Sequence, residues 1–410
     1  MTSTTRSVVA FCRRYVQTWV HAVATAAMTA FGTLTVVDRR FAVLAIACYL
    51  VPPLGYYVVA DGPWGHGAGE QAMKNDEPAA GEDRPADGSA TNGEERDTTT
   101  AGPATREQPP DWQAVDLPTG ADLTDVVVAD EVAYAVGDDG VVLAGEGERE
   151  ADDWRVALAD GPGAQASDLT AVDATADGAV WVAGAGGALG RLDPDSGRHR
   201  DLSAPRDRTD EWTDLAVTGA DGNETVVLAT GSGELLWGRY RDGDCRWDAA
   251  TKPGTGSSIT AVALRGQGEP GNAGDVAGYC CDTNDGVFAV SPGEATARDG
   301  LDARGVLWDA VALAGDGCLV ADGSGVVHHY RDGGWTPTKV SGSALAALDA
   351  TEAGDGQVAA GDDRLYRHTG SRNWESDSVV GVAGLRGVAL GDRAVVAVGE
   401  AGMAAVGRFG

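Results

Sequence analysis

The stretch LTDVVVADEVAYAVGDDGVVLAGEGEREADDWRVAL, residues 123–158, decides the fold of this chain. It contains four short apolar segments, LTDVVV, VAYAV, VVLAG and WRVAL, which are separated by Asp, Glu and Gly. Small or branched apolar residues broken by Gly and Asp are typical of antiparallel strands joined by tight turns. The stretch therefore predicts a unit of four antiparallel strands.

The same unit recurs to the end of the chain, at steps of roughly 40 to 50 residues. A Gly/Asp turn follows the second segment in each copy, because such turns need positive φ. This period indicates the blades of a β-propeller, each with four strands. The units open at Leu123 (LTDV), Leu169 (LTAV), Trp212 (WTDL), Ile259 (ITAV), Trp308 (WDAV), Leu345 (LAAL) and Leu385 (LRGV).

The seventh unit supplies only three strands before the chain stops. Several units carry a tryptophan in their outer strand, namely Trp154, Trp247, Trp335 and Trp374. A lone segment at residues 111–117, DWQAVDL, precedes the first unit and copies this pattern with Trp112. Pairing it beside Val406 would complete the blade and remove the exposed sheet edges. We therefore predict an all-β, seven-bladed propeller over residues 111–410, closed by an N-terminal outer strand and monomeric. Six blades, eight blades, a solenoid or a pair of sandwiches are the alternatives.

Residues 1–60 are predicted to anchor the chain in a membrane. Residues 41–60, FAVLAIACYLVPPLGYYVVA, carry no charge and are long enough to span a bilayer as a helix. Residues 8–37 predict either an amphipathic interfacial helix or a first spanning helix. A buried soluble helix is the alternative for residues 41–60.

The number of spans decides the topology. All five arginines of this region precede residue 41. With one span they stay in the cytoplasm and the propeller is extracellular at the cell membrane, as the positive-inside rule prefers. With two spans the propeller would face the cytoplasm. Residues 61–110, rich in Gly, Pro, Ala, Thr and carboxylates, predict a disordered acidic linker.

The formal net charge is −31, and the chain has only three lysines. Such a surface repels a phosphate backbone, so nucleic acid is not an expected partner. Abundant Asp, Glu, Ala and Gly resemble the salt-adapted proteins of haloarchaea. Concentrated salt screens the self-repulsion that this charge causes in dilute buffer.

The AVGDDGVVL turn and the LTDV opening resemble those of the WD40/YVTN/BNR-like repeat propellers, especially the photosystem II assembly factor type with its VG-x-x-G turn. The chain departs from true WD40 repeats, because it has no GH…WD dipeptides. It also lacks the spacing of the sialidase Asp-box. The resemblance covers residues 111–410 and implies a binding scaffold more often than an enzyme.

The innermost strands of a propeller line its central channel. We expect the second residues of the units to line it and to hold a small polar ligand or ordered water. Three inner-strand acids, Asp125, Asp214 and Asp309, could instead serve a glycan hydrolase or lyase. No catalytic, cofactor-binding or metal-binding residue is predicted. The candidate lining residues are Thr124, Thr170, Thr213, Thr260, Asp309 and Arg386.

Other residues could be modified covalently, by glycosylation or disulfide formation, if the domain is extracellular. Asn223 opens an N-glycosylation sequence, Asn-Glu-Thr, in a turn. Disulfides could form among the repeat cysteines, for example from Cys245 to Cys280 or Cys281, although sequence cannot give the pairing. These cysteines are Cys245, Cys280, Cys281 and Cys318.

The leading functional prediction is a non-enzymatic, membrane-anchored, cell-surface propeller that binds a protein or an envelope glycan. A glycan hydrolase or lyase is one alternative. A cytoplasm-facing assembly factor for a membrane complex is the other.

Overall fold

The computed structural model describes residues 110–145, 154–193, 196–266, 277–361, 363–369, 373–379 and 381–409. These residues form seven antiparallel sheets of four strands each, which confirms the predicted blade number and overturns six or eight. The predicted membrane helices of residues 1–60, and the linker up to residue 109, lie outside the described residues. Within those described ranges, no helix has the length and apolarity to cross a membrane.

Each blade runs from an inner strand to an outer strand. Blade 1 contains β2 (Leu123–Ala129), β3 (Val132–Gly137), β4 (Val142–Gly145) and β5 (Arg155–Leu158). Blade 2 contains β6 (Leu169–Ala174), β7 (Val180–Gly184), β8 (Leu189–Asp193) and β9 (Arg198–Asp201). Blade 3 contains β10 (Trp212–Ala220), β11 (Asn223–Thr230), β12 (Leu235–Arg241) and β13 (Asp244–Trp247).

The remaining blades repeat this order, with one exception at the end. Blade 4 contains β14 (Ile259–Leu264), β15 (Gly278–Asp282), β16 (Val287–Ser291) and β17 (Glu294–Ala297). Blade 5 contains β18 (Leu307–Leu313), β19 (Gly317–Asp322), β20 (Val326–Arg331) and β21 (Gly334–Lys339). Blade 6 contains β22 (Leu345–Ala350), β23 (Gly356–Gly361), β24 (Leu365–Thr369) and β25 (Glu375–Asp377). Blade 7 contains β26 (Leu385–Leu390), β27 (Ala394–Gly399), β28 (Met403–Arg408) and, as its outer strand, β1 (Asp111–Asp116).

The start and the end of the propeller share blade 7. β1 runs antiparallel to β28, with Trp112 opposite Gly407 and Gln113 opposite Val406. Each inner strand contacts the next, and β26 contacts β2, so the blades form a ring. The pairing with β1 covers the free edge of β28, and the closed ring has no open end.

The core lies between the blades. Successive side chains of a strand point to opposite faces of its sheet. On β3, Ala133 and Ala135 pack toward blade 7, whereas Tyr134 and Val136 pack toward blade 2. The second strands are therefore apolar on both faces. We call the contact between two neighbouring blades a seam, and each of the seven seams contains one such buried cluster.

The VG-x-x-G turn needs both of its glycines. A Cβ on Gly137 would lie 2.1 Å from the carbonyl oxygen of Asp122. Gly140 has φ of +73°, and its Cβ would lie 2.7 Å from the backbone nitrogen of Gly161. The turn is thus pressed between the loop that enters its own blade and the loop that leaves it.

The outer-strand tryptophans pack on small residues of the third strand, where an added Cβ would meet the indole at 2.4 to 2.7 Å. The closing strand follows this rule, and Trp112 Nε1 also donates to Asp377 Oδ2 of blade 6 at 3.1 Å. The pairs are Trp154 with Gly145, Trp247 with Gly238, and Trp112 with Gly407.

Candidate functional site

A β-bulge marks the second residue of every inner strand, because this residue is skipped in the pairing with the second strand. In blade 5 the strand begins at the fully buried Leu307, so the bulge residue is Trp308. The sequence alignment opened this unit at Trp308 and was wrong by one residue. Asp309 consequently belongs to the third position. The seven bulge residues are Thr124, Thr170, Thr213, Thr260, Trp308, Ala346 and Arg386.

The seven inner strands surround a central channel with a volume of about 510 Å³. Asp173, Asp349, Glu352 and Trp308 line it in addition to the predicted residues. All six candidates named from the sequence line it as well, namely Thr124, Thr170, Thr213, Thr260, Asp309 and Arg386.

Three of the four threonine hydroxyls join neighbouring blades. Each donates to the backbone carbonyl that opens the next inner strand. Thr260 differs, because its Oγ1 lies 3.3 Å from the carbonyl oxygen of Cys281 in its own blade. The hydroxyls are thus already bonded to the protein backbone. The three bonds run from Thr124 to Leu169 at 2.7 Å, from Thr170 to Trp212 at 2.6 Å, and from Thr213 to Ile259 at 2.7 Å.

Five channel aspartates join blades in the same direction. Asp214 Oδ1 accepts the N–H of Leu215 at 2.8 Å, and Oδ2 accepts the N–H of Val262 in the next blade at 2.7 Å. Both oxygens of each carboxylate are therefore engaged by backbone donors. The four other inter-blade bonds run from Val172 to Asp125, from Val217 to Asp173, from Leu348 to Asp309 and from Leu390 to Asp349.

Burial raises the pKa of all five carboxylates, although the backbone N–H donors partly offset this rise. The pKa of Asp125 and of Asp349 rises to about 6, and that of Asp173 rises to about 7. The pKa of Asp309 rises to about 8, and that of Asp214 lies well above its usual range. Repulsion between the carboxylates contributes to both of these shifts. Asp309 therefore holds its proton at neutral pH, whereas Asp125 and Asp349 are mostly ionised.

Arg386 closes the seam between blades 7 and 1. Its guanidinium lies 3.4 Å from Asp122 Oδ2 and 2.9 Å from Glu400 Oε1. Asp122 Oδ1 also accepts the N–H of Ala401 at 2.9 Å. At this seam the ion pairs of Arg386 therefore take the place of the hydrogen bond that a threonine forms between other blades.

One Ser–His–Asp group lies away from the channel. His328 Nε2 lies 3.0 Å from Asp322 Oδ2, and Ser324 Oγ lies 2.8 Å from Asp322 Oδ1. In a catalytic triad the serine bonds to the histidine, whereas here both bond to the aspartate. Asp322 and His328 are buried, so the group secures the β19–β20 turn.

The repeat cysteines are free thiols. Cys245 packs in the seam between blades 2 and 3, Cys280 between blades 3 and 4, and Cys281 with Cys318 between blades 4 and 5. The bridge that we considered from Cys245 is not formed, because different blades separate these clusters. Asn223 is exposed at the start of β11, as a glycosylation site requires.

Among the described side chains, no three His, Cys, Asp or Glu residues are placed to hold a metal ion. The acids proposed for glycan chemistry, Asp125, Asp214 and Asp309, line the channel but accept two backbone bonds each.

Comparison with known proteins identifies the fold. No protein-family model matches the chain, and no curated protein matches it either. Virginiamycin B lyase from Staphylococcus aureus aligns with a TM-score of 0.58 and 13% identity, covering 73% of this chain and 99% of the lyase. The structure of YCF48 bound to D1 peptide aligns with a TM-score of 0.55 and 14% identity, covering 76% and 99%.

The WD40 propeller domain of Doa1 aligns with a TM-score of 0.54 and 11% identity, covering 72% of this chain and 96% of that domain. At such identities these likenesses show the fold alone. The chain is a seven-bladed β-propeller with WD40-like structural neighbours.

Proposed function

We propose that this chain is a non-enzymatic, membrane-anchored propeller that binds a protein partner at the cell surface. The observation that carries the proposal is that the polar groups lining the channel are hydrogen-bonded to the protein's own backbone. Three threonine hydroxyls and five carboxylates bond to backbone atoms of the next blade. A general acid or nucleophile must present a group to the substrate, whereas these groups are committed to the ring.

Structural neighbours support a binding role. One of them, YCF48, holds the D1 peptide. A closed ring also gives a rigid face on which loops and rim residues can contact a partner. Pull-down of a single partner by the intact protein, lost when rim residues are changed and kept when channel aspartates are changed conservatively, would support this role.

The anchor and its orientation rest on the sequence. Residues 41–60 are uncharged, and the arginines lie on one side of them. The strongly acidic composition suits a haloarchaeal envelope in concentrated salt. Protease added to intact cells should digest the propeller if it is extracellular. Protection until the cells are lysed would favour the cytoplasm-facing assembly factor.

A glycan hydrolase or lyase is the second candidate, because one structural neighbour is a lyase. Turnover of a glycan panel that is abolished by Asp214→Asn in a folded protein would favour this candidate. A folded variant that binds the partner normally would favour the scaffold.

A further inference from the structure

Trp308 is the exception among the seven bulge residues. Thr124, Thr170 and Thr213 bond to the next blade, Thr260 bonds within its own, and Arg386 forms ion pairs. The methyl side chain of Ala346 has no polar group that could form such a bond. The large side chain of Trp308 replaces a threonine and is 48% exposed at the mouth of the channel.

The indole belongs to a small apolar patch. Val306 is 37% exposed two residues earlier in the same segment. Among the described residues the one other large apolar side chain with comparable exposure is Val156, on the outer strand of blade 1. A Cβ on Gly323 would lie 3.0 Å from Trp308 Nε1, so the β19–β20 turn supports the indole. A supported, exposed tryptophan is the kind of residue that anchors protein interfaces.

The charged residues that line the channel favour a positively charged ligand at this mouth. Six carboxylates and one guanidinium line the channel. The pKa of Asp125 and of Asp349 rises only to about 6, so these two carboxylates keep most of their negative charge at neutral pH. The single guanidinium, that of Arg386, is already paired with Asp122 and Glu400. An aromatic face beside a negative channel attracts a positively charged group by the ring quadrupole and by Coulomb attraction.

The same geometry disfavours a sugar on this tryptophan. A sugar needs convergent hydrogen-bonding groups beside the aromatic face. In the channel, the hydroxyls of Thr124, Thr170 and Thr213 and the carboxylate of Asp309 are already bonded to backbone atoms.

We propose that Trp308 anchors a docking site for a basic peptide segment of the partner, whose arginine or lysine lies over the indole and points into the acidic channel. The proposal deepens the binding function proposed above and rests on it. Val306 supplies apolar contact beside the cation.

The test uses the full-length chain in detergent micelles as bait for random 12-residue peptides displayed on phage. The best binders are synthesised, and their Kd is measured by fluorescence polarisation. We expect them to contain arginine or lysine. Replacing that residue with glutamine, or making Trp308→Ala, should weaken binding about tenfold, and Trp308→Tyr should restore part of it.

Val156→Ser is the matched control, since it removes an equally exposed apolar side chain away from the channel, and its Kd should not change. Equal melting temperatures of the variants exclude unfolding. Peptides that bind without a basic residue, or regardless of Trp308, would overturn this docking site while leaving the scaffold function intact. Failure to enrich any peptide, with or without binding to a glycan array, would overturn both.

Discussion

The seam between blades 3 and 4 differs from the seam between blades 4 and 5. At the first, Thr213 and Asp214 bond across the inner ring to Ile259 and Val262. At the second, the corresponding residues are Thr260, which bonds within its own blade, and Ala261.

The second seam is held farther from the channel. Asp316 accepts the hydroxyl of Tyr279 at 2.6 Å and the guanidinium of Arg298 at 3.0 Å. Arg298 also lies 5.4 Å above the centroid of the Tyr330 ring. The two seams show that a polar cluster can join blades at either radius. Where the outer cluster joins blades 4 and 5, the inner positions carry Thr260 and Ala261, which do not bond across the seam.

The largest expected contrast is between the pH dependence of the inner acids and that of the outer acid Asp316. Asp309, which joins blade 5 to blade 6, represents the inner acids. An inner acid with a raised pKa stabilises the fold below its unfolded pKa, near 3.9, and this contribution is lost as pH rises through the folded pKa, about 8 for Asp309. The loss approaches about 1.4 kcal/mol per pH unit for one such group. Urea unfolding from pH 4 to 9 should therefore show a shallower decline for Asp309→Asn than for the wild type.

The outer acid should behave in the opposite sense. The pKa of Asp316 is lowered, first by its bond from Tyr279 and also by Arg298, so its contribution is lost as pH falls. Asp316→Asn should reduce stability at neutral pH and lose less on acidification. The same slope for both variants would refute the assigned difference.

The next largest effect concerns the outer cluster, which consists of Tyr279, Arg298 and Asp316. Arg298→Ala removes the bond to Asp316 and the contact with two tyrosine rings, and it should lower the free energy of unfolding by about 2 kcal/mol. Thermal or urea unfolding measures the loss. Arg304→Ala, at an exposed arginine in the same connection, is the control and should change little.

The smallest expected effect is the difference in stability between variants of two threonines. Thr213→Val breaks an inter-blade bond and should cost about 1 kcal/mol. Thr260→Val breaks only a long bond within its blade and should cost less. Equal losses would mean that the inter-blade bond adds nothing.

The sequence predicted the ring because its signals are local. Gly/Asp turns mark each hairpin, and the copied tryptophan identified β1 as the missing strand of blade 7. Blade 5 was misaligned because a bulge lets either Leu307 or Trp308 open the strand, and only packing shows that Leu307 is buried.

The roles in the channel were less predictable. A threonine at the second position looks the same whether its hydroxyl meets a ligand or a carbonyl about 45 residues away, since that partner is fixed by blade packing. Asp173 and Asp349 were missed because they occupy the fifth position of their strands. The period of two places this position on the same face as the third, so the signal was present.

The central claim is that the channel aspartates hold the blades together. The most direct measurement is the free energy of unfolding of Asp214→Ala by urea titration at a fixed pH. We predict a loss of about 2 to 3 kcal/mol, because two backbone N–H groups lose their acceptor. Unchanged stability would contradict the claim and return Asp214 to the candidates for catalysis.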